Sequence, residues 1–323
     1  FSIMTSRGCP YRCTFCHQNS NYRKKWRSFN PPRVLDEMEM LSREYKIQHF
    51  QILDDNFFVD VKRAHEILRG MADRRIDAVL TINGSRVTDI LRLSEESLQL
   101  LAGGRCAELQ IGLESGSQHI LDVMKKDLTL EQVLQANERL KKHRIPRYYE
   151  LVSGFPEETA EDLAETARFI LRLSDKDPDV FFAPLESLTA YPGTEVYAQA
   201  EAAGMQFPQS LEGWGGFEWS NPILPWMDQK TRRTLKAFHI FPTLISSEIK
   251  VAESAWLKLL FRFYRPIARW RVRHQCFILP LESSLFDFLT WMRSRRAGRA
   301  AGRDDRSGPP APSAPGPSLG ATG

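Results

Sequence analysis

The residues of this sequence with the clearest chemistry are three cysteines near its start. Cys9, Cys13 and Cys16 lie in "TSRGCPYRCTFCHQNS" with the spacing C-x3-C-x2-C. Closed zinc sites and ferredoxin-type clusters take four protein ligands, one more than this loop supplies. Three thiolates suit a [4Fe–4S] cluster in which one iron stays open to another ligand. Structural zinc and unliganded core cysteines are the alternatives.

No other residue is a convincing fourth ligand in the sequence. His17 adjoins Cys16, and adjacent residues are awkwardly placed for one small tetrahedral site. Cys106 and Cys276 stand far away without a second ligand beside them. Five cysteines, three of them clustered, argue against a secreted disulfide scaffold and for a reducing compartment. We therefore expect a cytoplasmic protein whose cysteine loop binds metal.

Hydrophobic patterning predicts the elements that position this loop. Short apolar runs alternate with helical patterns, two of which open with capping boxes at Thr129 and Thr159. Six such βα units predict a parallel sheet, rolled into a partial (β/α)6 TIM-type barrel of the α/β class. Polar and glycine motifs come directly after the strands, where such folds place their sites. The predicted strands are Phe1–Ser6, His49–Leu53, Ala78–Asn83, Ala107–Leu113, Arg147–Gly154 and Asp179–Thr189.

The rest of the chain predicts an appendage and a tail. The alternation occupies residues 1–200, and a Trp/Gly/Pro-rich connection followed by helices occupies residues 201–296. Residues 297–323 are mostly Pro, Gly, Ser, Ala and charged residues, so we expect a C-terminal helical extension with a disordered tail. The chain begins at Phe1, inside a predicted strand, and we expect a further part upstream.

The cysteine loop resembles that of the radical S-adenosylmethionine (SAM) superfamily. The shared pattern is C-x3-C-x-aromatic-C after the first strand of a βα barrel, with Phe15 as the aromatic residue. The resemblance implies that Cys9, Cys13 and Cys16 are catalytic and hold a [4Fe–4S] cluster whose open iron binds SAM. Reductive cleavage of SAM then releases a 5′-deoxyadenosyl radical, which abstracts hydrogen from the substrate. The same resemblance places Phe15 near the adenine.

"LDDNFF" and "NGSRVT" follow the second and third predicted strands and resemble further SAM-binding motifs. The resemblance implies that Asp54, Asp55 and Asn56 accept hydrogen bonds from the SAM amine. An acidic turn that caps the next helix is the alternative. Arg86 is expected to pair with the SAM carboxylate or to orient Glu114, and an exposed arginine is its alternative.

"GLESGS" follows the fourth predicted strand and resembles the family's ribose site. Glu114 is then expected to bind the ribose hydroxyls with help from Ser115. The alternative for Glu114 is a helix N-cap role.

Two more motifs resemble the adenine side of the family's site. "ELVSGFPEET" resembles G-x-I-x-G-x-x-E, with Val152, Gly154 and Glu157 matching and Glu150 standing where the pattern has glycine. "AYPGT" after the sixth strand contributes Tyr191. Together the motifs cover roughly residues 1–200.

The motif combination most resembles the branch of the family with an N-terminal cobalamin-binding domain. The resemblance implies cobalamin, bound by an upstream domain, and either methyl transfer or oxidative rearrangement of a small-molecule or lipid-like substrate. A reductant such as flavodoxin or ferredoxin is implied as a partner. A tRNA-modifying methylthiotransferase is less favoured, because the C-terminal part reads as helices rather than as a β-rich RNA-binding module. A non-catalytic iron–sulfur protein would not need the SAM motifs.

Charge and hydropathy favour neither a nucleic acid nor a membrane as a partner. A formal net charge of +4 over 323 residues does not by itself indicate nucleic acid binding. The sequence holds no apolar run of membrane-spanning length. The basic segment Trp256–Arg273 suits either peripheral membrane contact or packing on the barrel with its arginines in solvent, and we favour packing.

Overall fold

The core of the structure is a six-stranded parallel sheet. A computed structural model describes residues 1–215, 224–227, 232, 235, 238–246 and 255–276, all within one compact unit, Phe1–Phe277. Its strands, in the order in which they pair, are β1 Ser2–Ile3, β4 His49–Ile52, β5 Val79–Ile82, β6 Cys106–Glu114, β7 Arg147–Ser153 and β8 Val180–Ser187. Strands β1 and β8 are therefore the two edges of an open barrel. The predicted partial (β/α)6 barrel is confirmed.

Helices connect successive strands and cover the outside of the sheet. The capping boxes predicted at Thr129 and Thr159 are both present, each with reciprocal bonds to the residue three positions on. The helices of the first half of the barrel are α1 Gln18–Tyr22, α2 Pro31–Glu44, α3 Val61–Asp73, α4 Val87–Ile90, α5 Glu95–Leu101 and α6 Gln118–Val123. Those that follow are α7 Leu130–Lys142, α8 Ala160–Leu173, α9 Glu195–Ala202, α10 Leu211–Gly215, α11 Phe241–Ile245 and α12 Ala255–Arg273.

The first predicted strand, Phe1–Ser6, is wrong in detail. It is split into β1 and β2 (Ser6–Arg7), and β2 pairs antiparallel with β3 (Arg27–Ser28) outside the main sheet. The break falls where the Thr5 amide donates to Asp54 Oδ1 at 2.6 Å. That hydrogen bond and the short pairing of β2 with β3 lead the chain out of the sheet and into the cysteine loop.

Alternation along β7 shows which side chains face the barrel interior. The Tyr149 hydroxyl donates to Asn137 on α7 at 3.1 Å, so Tyr149 points outward to the helices. Side chains of a strand alternate between its two faces. Tyr148, Glu150 and Val152 therefore point into the barrel, where they are only partly buried.

The outer edge of β8 is covered by the segment that contains α11. The Leu185 amide donates to the His239 carbonyl at 2.8 Å, and the Phe182 amide donates to Ser246 Oγ at 3.0 Å. Thr243 Oγ1 also donates to the Phe182 carbonyl at 3.4 Å. The backbone groups of this edge thus find partners in residues that follow the barrel.

Helix α12 packs on the barrel, which is the alternative that we favoured from the sequence. Two of its arginines, however, contact the protein and do not lie in solvent. Arg265 donates to the Ile245 carbonyl at 3.1 Å and Arg269 to Ser174 Oγ at 2.9 Å. The exposed face instead carries an apolar row made of Leu259, Phe263, Ile267 and Trp270, of which Phe263 is 72% exposed. The described helices include none that could span a membrane. The predicted disordered tail lies outside the described residues.

Candidate active site

The cysteine loop follows β2 and joins both halves of the barrel. The Thr14 amide donates to the Met124 carbonyl, just after α6, at 2.9 Å. The Thr14 carbonyl accepts from the Val196 amide of α9 at 3.4 Å. Through these two bonds the loop contacts elements that precede β7 and follow β8. Because α6 follows β6 and α9 follows β8, the loop lies at the carboxyl end of the sheet.

Asp55 holds the two ends of the cysteine loop. Its carboxylate accepts from the Gly8 amide at 2.6 Å and from the Gln18 side chain. Gly84, after β5, packs against this turn so closely that a Cβ there would collide with the Asp54 carbonyl oxygen and lie 2.7 Å from that of Asp55. The carboxyl ends of β4 and β5 are thus in contact beneath the loop.

Asp54 and Asn56 are also engaged by the protein. The Asp54 carboxylate accepts hydrogen bonds at 2.6 Å from the Thr5 amide, the Thr5 hydroxyl and the Ser6 hydroxyl. The Asn56 amide donates to Asp89 at 2.7 Å and accepts from the Phe58 backbone at 3.1 Å. The carboxylates of Asp54 and Asp55 therefore position the loop whatever else they bind, and their contact with the SAM amine stays a prediction.

Arg86 contacts the cysteine loop directly, and the exposed-arginine alternative is wrong, because the residue is only 6% exposed. Its Nη1 donates to Cys13 Sγ at 3.2 Å and its Nη2 donates to the Lys126 carbonyl. The guanidinium carbon also lies 3.8 Å from the centre of the Tyr11 ring, a cation–π contact. The Tyr11 hydroxyl donates to the buried Asp89, and burial together with that carboxylate raises the pKa of Tyr11 to about 12.

The cysteines are thiols in a partly desolvated loop. Burial raises the pKa of Cys9 and raises that of Cys16 to about 11, with the neighbouring cysteines adding to both shifts. Iron binds the thiolate, so loading a cluster releases protons, and the binding of iron offsets the cost of ionising the buried thiols.

The three thiols of this loop are ligands of the kind that an iron–sulfur cluster takes. Within the described part of the chain, no three His, Cys, Asp or Glu side chains converge on one metal position. A cluster takes one thiolate per iron and so needs its ligands further apart than one ion does. Buried polar atoms without a partner among the described residues lie in the same loops, at Thr14 Oγ1, Ser85 Oγ and Arg86 Nε. Such atoms fit a site shaped to receive a polar group.

Glu114 ends β6 in a left-handed backbone conformation, with φ of +67°. It is buried and pairs with Lys126. The N-cap alternative is wrong, because α6 begins at Gln118 with Ser117 as its N-cap. Ser115 is turned towards α8, where its hydroxyl lies 3.1 Å from Thr166 Oγ1.

An apolar wall forms on the other side of the loop. The Phe15 ring meets the Phe155 ring edge-on, with ring centroids 5.8 Å apart. Val152 packs against the same buried apolar cluster, to which Phe155 belongs. Gly154, with φ of +108°, brings its backbone to this wall, and Trp226 Nε1 donates to its carbonyl at 2.9 Å. Tyr191 is 44% exposed, and its ring centre lies 5.6 Å from that of His17.

Glu158, rather than the motif residue Glu157, anchors the backbone of this turn. Glu158 Oε2 accepts from the Ser153 hydroxyl at 2.8 Å and from the amides of Gly154 and Phe155. Glu157 is exposed. Burial raises the pKa of Glu158 to about 7, against the lowering effect of these hydrogen bonds.

Lys126, Tyr11 and Glu158 were not predicted as site residues from the sequence. Lys126 comes twelve positions after Glu114, and the two meet only because the chain returns after α6. A buried lysine has no local signature in sequence, since its partner is distant. Tyr11 lies inside the cysteine loop, and its aromatic character was the one signal available.

Comparison with known proteins gives a family match over most of the barrel. Residues 3–170 match the model of the radical SAM superfamily. The chain is 28% identical over 254 residues to an uncharacterized methyltransferase of Pyrococcus horikoshii, spanning 76% of this chain and 53% of the relative. It is 31% identical over 197 residues to the anaerobic magnesium-protoporphyrin IX monomethyl ester cyclase of Rubrivivax gelatinosus, spanning 60% of this chain and 34% of the relative. The chain thus covers about half or less of these relatives.

Solved structures share the fold. The cobalamin-dependent S-adenosylmethionine radical enzyme OxsB, with aqua-cobalamin and S-adenosylmethionine bound, superposes with a TM-score of 0.62 at 17% identity, covering 90% of this chain and 50% of that one. The radical S-adenosylmethionine methyltransferase TsrM from Kitasatospora setae, with cobalamin and a [4Fe-4S] cluster bound, gives 0.54 at 22% identity, covering 64% and 41%. At such identities the likeness shows the architecture.

Proposed function

Because the chain belongs to the radical SAM superfamily, we propose that it is an enzyme in which Cys9, Cys13 and Cys16 hold a [4Fe–4S] cluster for the reductive cleavage of SAM. The observation that carries this proposal is the three-thiol loop across the carboxyl end of a six-stranded parallel sheet, with Arg86 bonded to Cys13. When bound, the cluster and SAM supply a 5′-deoxyadenosyl radical that removes hydrogen from the substrate. The chain itself binds, orients and shields these groups.

The contacts support a division of labour among the side chains. We assign Glu114 to the ribose hydroxyls, because it is buried at the end of β6 beside Lys126. We assign Arg86 to holding Cys13 in place through its hydrogen bond to the Cys13 sulfur. The residues we assign to the adenine wall are Phe15, Val152, Gly154 and Tyr191. Those we assign to holding the surrounding loops, with a direct SAM contact still predicted for each, are Asp54, Asp55, Asn56 and Ser115.

We further propose cobalamin-linked methyl transfer or oxidative rearrangement of a small-molecule or lipid-like substrate. Relatives named as methyltransferases and as a cyclase support the two reaction classes. Cobalamin-bound structures of the same fold support the cofactor, which an upstream domain would hold. The site residues assigned above lie within residues 1–200, which we propose as the catalytic domain, followed by 201–296 and 297–323. The tRNA-modifying alternative is less favoured, because the described residues after the barrel are helical.

The proposal is tested on the anaerobically reconstituted protein. About four irons should bind per chain, and SAM with dithionite, or with a flavodoxin or ferredoxin as reductant, should yield 5′-deoxyadenosine. A colourless protein with one zinc, or cluster loading without 5′-deoxyadenosine, would overturn it. Glu114→Gln should weaken SAM binding by tenfold or more while leaving iron content intact, with exposed Glu161→Gln as the matched control. Loss of iron in Glu114→Gln would mean that Glu114 holds the loop and does not bind the ribose.

A further inference from the structure

Glu150 lies inside the barrel beside the pair formed by Glu114 and Lys126. In the register of β6 and β7, Glu150 stands directly opposite Gly112. A Cβ on Gly112 would collide with Glu114 Oε1 and lie 2.8 Å from Lys126 Nζ. The ion pair therefore sits over the glycine, one strand spacing from the Cα of Glu150. An extended glutamate side chain spans that spacing.

The Glu150 carboxylate has no hydrogen bond or ion pair with any described residue. The charged groups that face it are Glu114 on β6, Glu186 on β8 and Lys126. Tyr148, on the same face of β7, senses its charge. Two carboxylates, Glu114 and Glu150, thus flank one buried ammonium, and only Glu114 holds it in this structure.

Binding of SAM would change the hydrogen-bond partners of the Glu114 carboxylate. If both carboxylate oxygens turn to the two ribose hydroxyls, Lys126 loses a buried partner. An ammonium left unpaired in the interior costs several kcal/mol. A second carboxylate within reach removes that cost, provided that it is ionised.

We propose that Glu150 is a positioning residue that takes over the Lys126 ammonium when Glu114 binds the ribose, so that SAM binding is coupled to ionisation of Glu150. The inference rests on the proposed function, and it deepens it at a position where the family pattern has glycine. No covalent step is involved: a proton leaves Glu150 for solvent, and Lys126 changes partner.

The direction of the pH effect follows from the free protein. Burial and then the charge of Glu114 raise the pKa of Glu150 to about 7, so the carboxyl is roughly half protonated near neutral pH. The SAM complex requires the ionised form and so binds fewer protons than the free protein. SAM affinity should therefore rise with pH, by about tenfold between pH 6 and pH 8 for one fully coupled group.

The experiment is calorimetric titration of reconstituted holoprotein with SAM at pH 6, 7 and 8, in buffers of different ionisation enthalpy. Wild-type protein should release about half a proton at pH 7 through this group. Glu150→Gln and Glu150→Ala should lose that release and the corresponding part of the rise in affinity. Glu186→Gln removes a carboxylate whose pKa Lys126 does not influence. It should keep the proton release and the rise in affinity, both moved to lower pH because the charge of Glu186 adds to the raised pKa of Glu150. The SAM ammonium titrates in every variant, and the difference from Glu150→Gln isolates the residue.

Equal pH dependence in wild type and Glu150→Gln, with 5′-deoxyadenosine still formed, would overturn this inference alone. Absence of SAM binding at every pH would overturn the proposed function with it. If Glu186→Gln lost the rise in SAM affinity with pH to the same extent as Glu150→Gln, the effect would come from the general charge of the barrel interior and not from Glu150.

Discussion

Arg86 Nη1 lies 3.2 Å from Cys13 Sγ, although 73 positions separate the two residues. The same guanidinium donates to the Lys126 carbonyl and lies over the Tyr11 ring. One side chain thus joins the end of β5, the cysteine loop and the segment after α6. Its contact with the sulfur of Cys13 also connects it to one of the three cysteines that we propose as cluster ligands.

Removal of Arg86 should weaken the hold of the loop on iron. Arg86→Ala leaves the Lys126 carbonyl and Cys13 without their donor, and Arg86→Lys restores at most one of the two bonds. Changes in residues that support metal ligands cost about 10- to 100-fold in metal affinity. Iron release to a chelator, followed by absorbance, should be about tenfold faster or more in Arg86→Ala, with Arg86→Lys between it and wild type.

Arg12 provides the matched control, because it also connects the loop to the same segment, through an exposed pair with Asp127 at 2.7 Å. Solvent screens such pairs, so Arg12→Ala should release iron at nearly the wild-type rate. Equal release from Arg86→Ala and wild type would show that the contact with Cys13 does not stabilise the cluster.

Substitution of Asp55 distinguishes two roles that the sequence does not separate, which are holding the cysteine loop and binding the SAM amine. If it holds the ends of the cysteine loop, Asp55→Ala should lower the iron bound per chain, and Gln18→Ala should do so to a smaller degree. If it binds the SAM amine instead, iron content should stay near four while SAM affinity falls. Iron assay and SAM titration on the same preparation distinguish the two, and we expect the first outcome.

Gly84 should tolerate no side chain. A methyl group there meets backbone atoms of Asp54 and Asp55, which cannot move as a side-chain end can. We expect Gly84→Ala to lower the free energy of unfolding by about 3 kcal/mol, an overpacking cost. Gly103→Ala has open space and only a left-handed backbone with φ of +68°, so about 1 kcal/mol is expected. Thermal melting measures both, and equal melting temperatures would contradict the close approach of β4 and β5.

Glu158 should make stability depend on pH. Its pKa rises from 4.5 to about 7 on folding, so between those values the folded protein binds more protons than the unfolded chain. The contribution of Glu158 to stability is therefore greatest below about pH 4.5 and is lost as pH rises to about 7. Its size is roughly 3 kcal/mol across that window.

Glu158→Gln keeps a carbonyl acceptor for the three donors but no longer titrates. We expect the unfolding free energy of wild type minus that of this variant to fall between pH 5 and about pH 7 and to level off above pH 7. Denaturant titration from pH 5 to pH 8 measures this difference. A flat difference curve would mean that the hydrogen bonds from Ser153, Gly154 and Phe155 offset burial and keep the carboxyl ionised.

Local patterns predicted the barrel because each βα unit carries its own signals. The capping boxes at Thr129 and Thr159 and the alternation of β7 are set by residues within a few positions of each other. The break between β1 and β2 was not predictable in this way, since the carboxylate that causes it, Asp54, lies in a different strand connection.

The site shows the same division. Motif order placed Glu114 and Arg86 at the correct strand ends, but the exposure of Arg86 and the partner of Glu114 depend on how distant segments meet. The outward apolar row of α12 likewise follows from tertiary contacts of Arg265 and Arg269, because periodicity alone does not say which face of an amphipathic helix packs.

The cover on β8 bears on how small the catalytic unit can be made. A truncation at residue 200 would remove His239 and Ser246 and leave the amides of Leu185 and Phe182 without those acceptors. An uncovered edge strand pairs with the edges of other molecules, which leads to aggregation. The site residues that we propose lie within residues 1–200, yet we expect a soluble fragment to require the chain at least through residue 246.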